Sequence, residues 1–445
     1  MRRRATTRSV TFLNRSFFPD VEATGQFLTE LCEDLSGSLP ITVVAGSPLV
    51  GASTLNGRRR PMLPFRRERY KNIEVLRCRH TRFAKRNFIG RLCNLATFFI
   101  SAACALCFHR PSLLVTQTDP PVLGVLGLLV ARLRRCPMIF SCQDVFPDIA
   151  RLSGKVKNRF ILWTLERITR ATLRGADHVV ALSDDMLELL ARKAPIRTKA
   201  TVVHNWVDTA AIRPVAPEEN WFRARHAPEG AFVVGYSGNL GVAQGLETVL
   251  EAAAALRREA DLLFLFIGEG ASKRVLQEKA TAWGLRNVRF LPYQPREHLA
   301  YSLSAVDLHL IPLRGGLHGM VAPSKVYGIA AVGRPFIALV EESSDLARLA
   351  REHDCGIVVP PGDADALRQA ILRLHEQPPL RARLGENGRR AALRCFDRTM
   401  VTRAMRKLLV KVLAANGAPN GGERRVPAPR HGSARMAPSF VRPSE

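Results

Sequence analysis

The chain has 445 residues, 47% of them hydrophobic, and a mean hydropathy near zero, which excludes a largely disordered chain and points to two domains, since one ordinary core does not grow to this length. Lys and Arg number 66 against 39 Asp and Glu, a formal charge of +27, so the surface attracts polyanions. No helix-turn-helix, zinc-finger or RNA-binding signature accompanies the charge, and specific nucleic-acid recognition is not expected.

Short apolar, β-branched runs alternate with longer helical patterns from one end to the other, the pattern of parallel sheets with crossover helices. In the first half, strands are expected at SVTFLN, ITVVAG, IEVLRC, SLLVTQ, PMIFSCQD, HVVALS and ATVVHN. Helices are expected over Gly25–Leu35, Phe88–Cys107, Val122–Leu133, Val156–Leu173 and Asp184–Lys193. The stretch Asp208–Gly230 carries three prolines and clustered charge and reads as a linker. A second parallel sheet then follows in FVVGYSG, LLFLFIG, VRFLPY, DLHLIPL, PFIALV and GIVVPP, with helices between. The expected organisation is a first Rossmann-like domain over 1–207, a linker over 208–230 and a second domain over 231–395. A helix over 396–413 packs back on the first domain, and a Gly-, Pro- and Arg-rich disordered tail occupies 414–445.

Nine scattered cysteines, odd in number and mostly in apolar runs, argue for reduced thiols in a cytosolic protein. Cys104 and Cys107 have CxxC spacing but no second pair nearby, so core packing is expected there rather than metal binding. The basic start runs directly into a strand-like segment without a signal-peptide core. The longest apolar stretch, Leu95–Phe108, is shorter than the roughly 20 residues a bilayer span needs.

In two open α/β sheets the ligand crevice lies at the carboxyl ends of the strands. After the first strand, NRSFFPDVEATGQF places Gly25 at a helix start, where free amides suit an anion and the missing side chain lets one approach. After the first strand of the second half, YSGNLGVAQG places Ser237, Gly238, Asn239, Gly241 and Gly245 in a loop, although without the dinucleotide fingerprint. Gly268, Glu269 and Gly270 form the turn after the next strand. In MVAPSKVYG, Pro323 and Ser324 suit a first helical turn. Lys325 in that turn opposes the helix dipole, which makes sense if an anion such as a diphosphate lies between them.

In this order these segments resemble the retaining glycosyltransferases of the GT-B fold, family four, and most of all its bacterial capsule and colanic-acid branch. The likeness rests on the ATGQ-type first loop, the DxxPD segment, the YSGNLG-type loop, the GEG turn and the PSK helix, and covers roughly residues 9–412. It implies two Rossmann-like, doubly wound parallel-sheet domains facing a cleft. Lys325 and the amides near Ser324 would hold a diphosphate, with Gly238 and Asn239 on its other side. Glu269 and the backbone after Leu291 would lie near the nucleoside. Asp144, in QDVFPDIA, would stand at the sugar end. The donor-side set is thus Gly25, Ser237, Gly238, Asn239, Gly268, Glu269, Pro323, Ser324 and Lys325, and the catalytic set Lys325, Asp144 and Asn239. This chain departs from the family where Asn239 and Gln244 lie in a loop that usually carries an Arg and a Lys. It departs again where Met320 and Gly328 replace two glutamates.

The resemblance implies retaining transfer of a sugar from a UDP- or GDP-linked donor. No cofactor and no metal are expected: electrostatic preorganisation at the leaving diphosphate carries much of such a reaction, and the DxD-like Asp363–Asp365 reads as a helix cap. Apolar, basic segments at Arg82–Phe108 and Pro120–Arg135 suit the anionic cytoplasmic face of the cell membrane, where a polyprenyl-diphosphate-linked saccharide would be the acceptor in surface polysaccharide biosynthesis. Two other readings stand beside this one. A nucleotide-sugar 2-epimerase would need acid/base groups such as His204, His309 and His318 in the cleft, and a scaffold or nucleic-acid-binding protein would need none.

Overall fold

The computed structural model describes residues 8–20, 23–48, 64–83, 88–152 and 156–415. In chain order the first half contains β1 (Val10–Leu13), α1 (Ala23–Ser36), β2 (Ile41–Gly46), β3 (Phe65–Tyr70), β4 (Ile73–Cys78), α2 (Phe88–Phe108), β5 (Leu113–Gln117), α3 (Leu123–Arg134), β6 (Met138–Ser141), α4 (Asp148–Leu152), α5 (Arg159–Gly175), β7 (His178–Ala181), α6 (Asp184–Lys193) and β8 (Ala200–Val202). The second half contains α7 (Trp221–His226), β9 (Phe232–Ser237), α8 (Glu247–Ala255), β10 (Leu262–Ile267), α9 (Lys273–Ala282), β11 (Val288–Leu291), α10 (Leu299–Ser304), β12 (Leu308–Pro312), α11 (Lys325–Ala331), β13 (Phe336–Leu339), α12 (Asp345–Glu352), β14 (Gly356–Val359), α13 (Ala364–Glu376), α14 (Pro378–Cys395) and α15 (Arg398–Ala415).

These strands form two sheets, ordered β3-β4-β2-β1-β5-β6-β7-β8 and β11-β10-β9-β12-β13-β14. All neighbours are parallel except β3, which runs antiparallel to β4. Each sheet reverses its winding once, at β1/β5 and at β9/β12, and these switch points open crevices at the strand ends. The central strands are buried on both faces, which is why VTFL and LLFLFI read as continuous apolar runs.

β3 was not expected, because FRRERY reads as a charge run. Its arginines are exposed at the sheet edge while Phe65, Glu68 and Tyr70 are half-buried, and a charged edge discourages pairing with other chains. α5 begins three residues later than the periodicity suggests. Asn158 stops it there, its side chain accepting hydrogen bonds from the amides of Phe160 and Ile161.

Within residues 208–230, α7 buries Phe222 among Val233, Leu263 and Val306 of the second sheet's core, so part of this stretch is built into that domain. α15 lays Val401, Met405, Leu409 and Val412 on the first domain's core beside Phe12, Leu31 and Leu35. Arg398 at its start pairs with Glu33 and Asp34 of α1. The chain thus crosses between the domains twice, and the two passages bond side by side: Val207 donates to the carbonyl of Phe396, and Arg398 to that of Val207. α1 and α15 cover one face of the first sheet, while α2, α3 and α5 cover the other. The tail expected from 414 lies, beyond Ala415, outside the described residues.

Candidate active site

A cavity of about 610 Å³ opens between the domains where the two switch points face each other. Ser237, Gly238, Ser324, Lys325 and Gly328 form its second-domain wall, with Tyr293 and Arg296 from the loop after β11. Gln26, Phe27 and Glu30 of α1 form the first-domain wall together with Trp206.

Lys325 is the pivot of the second wall. Its ammonium lies 5.0 Å from the centroid of the Tyr236 ring, and no carboxylate among the described residues pairs with it. A cation over a ring face gains some attraction, yet far less than it loses with its water. Burial therefore pushes its pKa down from the ordinary 10.5 to about 8. A charged group kept without a counter-charge in a cavity is a receptor for an anion.

Two glycines make room for this lysine. Gly238 has φ +144°, and a Cβ there would stand 2.1 Å from Lys325 Cε. Gly268, φ +148°, packs against Gly238, and its Cβ would meet the Gly238 carbonyl oxygen at 1.9 Å. The two glycines expected at a ligand are therefore required first by the packing of the loops around Lys325. Asn239 is exposed and outside the cavity lining, its carbonyl accepting a 2.7 Å hydrogen bond from the Tyr236 hydroxyl. Glu269 is also outside the lining and pairs with Lys273 at 2.6 Å.

Gly25 sits one residue from the lining, where a Cβ would meet Ser16 Cβ at 3.1 Å, so it lets α1 start close against the loop after β1. The rest of the first wall has no local motif. Glu30 is buried, accepts a 2.7 Å hydrogen bond from the Trp206 indole and pairs across the gap with Arg296. Trp206 lies in the loop shortly after β8, and an aromatic residue past a strand end is the one sign that the wall leaves in the sequence. Glu30 and Arg296 are 266 residues apart, so only the fold joins them.

Asp144 and Pro323 do not line this cavity. Asp144 bridges Val321 in antiparallel fashion, and Val145 donates a 3.0 Å hydrogen bond to the carbonyl of Met320. The loop holding Met320 is thus clamped to the first domain. Gly319 donates to Asp185 at 3.1 Å, and Arg348 pairs with Asp184 at 2.7 Å, both across the domain boundary. Pro323 faces a much smaller cavity beside these contacts. At Gly328 a Cβ would meet only Leu303 Cδ1, at 3.3 Å, so the departure from glutamate there leaves the large cavity wider.

The three histidines weighed for acid/base chemistry lie elsewhere. His309 is buried in the second core and pushed down to about 4 by that burial. His204 Nδ1 donates to the Leu182 carbonyl, and His318 pairs with Glu341. Asp363 caps α13, accepting from the amide of Ala366 at 2.8 Å. Cys107 is exposed instead of packed in a core, because it falls on the outward side of α2. Among the described residues no group of three or more His, Cys, Asp or Glu side chains could hold a metal ion.

Comparison with known proteins accounts for both halves of the cleft. The description "Glycosyl transferases group 1" matches residues 217–391 and "Glycosyl transferase 4-like domain" residues 25–206. WcaI of Escherichia coli (strain K12), named as a colanic acid biosynthesis glycosyl transferase, is 30% identical over 298 residues, 64% of this chain and 73% of its own. The chain belongs to the group 1 glycosyltransferases. WbjE of Pseudomonas aeruginosa, named as a glycosyltransferase, is 27% identical over 60% of this chain and 67% of its own.

Solved structures confirm the GT-B-like architecture of this glycosyltransferase. Sucrose-phosphate synthase from Thermosynechococcus elongatus superposes with a TM-score of 0.73 at 19% identity, covering 92% of this chain and 100% of that one. HepE of Anabaena, solved in complex with UDP, gives 0.67 at 16% identity over 91% of this chain and 100% of its own.

Proposed function

We propose that this glycosyltransferase moves a sugar, with retention and without a metal, from a nucleoside-diphosphate donor to a lipid-linked saccharide in surface polysaccharide biosynthesis. The observation that carries the reading is the unpaired, partly desolvated Lys325 ammonium in the interdomain cavity. Cleaving a glycosyl–phosphate bond leaves charge on the departing diphosphate and oxocarbenium character on the sugar. A fixed cation at the leaving oxygens lowers that barrier and needs no reorganisation at the moment of reaction.

In this reading Lys325 and the amides near Ser324 and Pro323 hold the diphosphate, with Ser237, Gly238 and Asn239 on its other side. The loop after β11 approaches the nucleoside and the start of α1, near Gly25, the sugar, while Gly268, Glu269 and Asp144, outside the cavity lining, would act only from its margins. Arg296 brings a guanidinium into the same cavity, where Glu30 pairs with it, in a chain whose Asn239 and Gln244 replace cationic positions of the family. A UDP- or GDP-linked donor is proposed because HepE is solved with UDP. Capsule or exopolysaccharide assembly is proposed from the name of WcaI. A polyprenyl-diphosphate-linked acceptor would set the enzyme to work as a peripheral protein on the cytoplasmic face of the cell membrane.

The test is transfer of label from UDP- and GDP-sugars in an extract of lipid-linked saccharides, with and without EDTA. Labelled lipid-linked product formed equally with EDTA supports the reading. Abolition by EDTA overturns the metal-free mechanism. Release of an isomerised nucleotide sugar without an acceptor overturns transfer in favour of epimerisation.

A further inference from the structure

Helices on the surface of a soluble domain turn charged and polar residues outward. α2 does the opposite. Its outward stripe, Ile89, Leu92, Ala96, Ile100 and Cys107, carries no charge, and Phe108 at its end is 73% exposed. The neighbouring α3 exposes Leu129 and Leu133, and α5 exposes Phe160 and Trp163. The three helices form one layer, α2 beside α3 and α3 beside α5, on the side of the first sheet away from α1 and α15. More than half of the large apolar side chains exposed among the described residues fall between Phe83 and Trp163.

The charge on this layer has one sign. From residue 83 to residue 175 the sequence holds fourteen Lys and Arg and only four carboxylates, Asp119, Asp144, Asp148 and Glu166. Asp119 is taken up by Arg15, and Asp144 belongs to the domain boundary. Asp148 and Glu166 both pair with Lys193 at 2.7 Å. Along α5 the exposed order is Arg159, Phe160, Trp163, Arg167, Arg170 and Arg174. Phe160 stacks on Trp163, and the Arg167 guanidinium lies 5.7 Å from the Trp163 ring. An aromatic ridge flanked by arginines meets the two demands of a bilayer interface, an apolar body in the acyl boundary and cations among anionic headgroups.

We infer that the α2–α3–α5 face docks on an anionic lipid bilayer. The inference rests on the proposed lipid-linked acceptor for its purpose, and the layer runs on toward the cleft in a way that fits that purpose. Asn94 of α2 holds Phe83 by two 3.0 Å hydrogen bonds, and Thr97 holds Thr81. The next residue back, His80, bonds the Ser47 carbonyl at the carboxyl end of β2. A lipid carried by the bilayer would therefore reach the first domain's strand ends along one continuous surface. No described helix is long and apolar enough to cross the membrane, so the contact lies in the interface. A second copy of the chain would bring the same positive charges face to face, and a protein partner would have to supply the missing carboxylates.

Co-sedimentation of the full chain with vesicles tests this. Binding to phosphatidylglycerol–phosphatidylcholine vesicles, little binding to phosphatidylcholine alone, and release as salt rises are the expected results. Combining Ile100→Ser, Leu133→Ser, Phe160→Ala and Trp163→Ala is expected to weaken vesicle binding about tenfold or more. The side chains are exposed, so melting temperature and its shift by UDP should stay as in the unaltered protein. Unaltered protein that ignores the anionic vesicles, or a fourfold variant that binds them equally well, overturns the inference. So does a dimer, seen by light scattering, that this variant dissolves. Lys325→Met should keep vesicle binding whatever it does to transfer, so loss of the donor reading and loss of the membrane face give different results.

Discussion

The two walls of the cleft are built in different ways. The second-domain wall is largely backbone, Gly238 in the loop after β9 and Gly268 in the loop after β10 packing tightly around Lys325 at the start of α11. The first-domain wall is a set of side chains, Phe27, Glu30 and Trp206, tied to one another and to Arg296 across the gap. A wall of backbone and one cation suits the part of a substrate that is always the same, a diphosphate. A wall of tailored side chains suits the part that varies, and removing its members should alter selectivity before it abolishes turnover.

The largest effect is expected on the second wall. Lys325→Met should lower turnover by about 10²- to 10³-fold, the usual loss when one preorganised donor to a developing anion is removed. An unchanged rate would remove the difference between the walls. Gly238→Ala should follow. A methyl group there collides with Lys325 Cε and needs φ +144°, so nucleotide affinity should fall by about 10- to 100-fold, with a lower melting temperature. Isothermal titration with UDP and a thermal melt measure both.

The third effect is pH dependence. Lys325 binds an anion when protonated, and its free-state pKa is about 8. UDP affinity should therefore be steady below pH 8 and fall by up to about tenfold per unit above it, while Lys325→Met shows no such bend. The ligand-free stability moves the other way. The unfolded chain holds this proton up to its ordinary pKa of 10.5, whereas the folded state releases it near 8. The cost of burying the charge is thus fully present below pH 8 and disappears as pH rises to 10.5, so this one site favours folding more at alkaline pH.

The smallest effect belongs to the first wall. Glu30→Gln and Arg296→Met should each change acceptor KM by roughly 3- to 10-fold, with less effect on kcat. Made together they should be non-additive, because the partners touch. Strict additivity would mean that the ion pair across the cleft is not formed in solution.

Much of the second wall was legible because its chemistry is local. The apolar strand and positive-φ glycine of YSGNLG and the lysine set against the helix dipole in PSK are each legible within a few residues of their own segment, although the segments themselves are far apart in the chain. Asp144 and Glu269 were read from the same kind of local pattern and lie outside the cavity, since a residue after a strand can turn toward a domain contact or toward solvent. The edge strand β3 was hidden by its arginines, which burial constrains only on alternate sides.

The sequence by itself determined the two parallel sheets and their strand ends and marked Gly238 and Lys325 singly, because periodicity of burial and backbone freedom act between near neighbours. The tertiary structure alone decided that Glu30 meets Arg296, that Met320 is clamped beside Asp144, and that α2, α3 and α5 join their exposed apolar stripes into one basic face. Such juxtapositions depend on which helices cover which side of a sheet and how two domains close, and interactions between near neighbours in the chain fix neither.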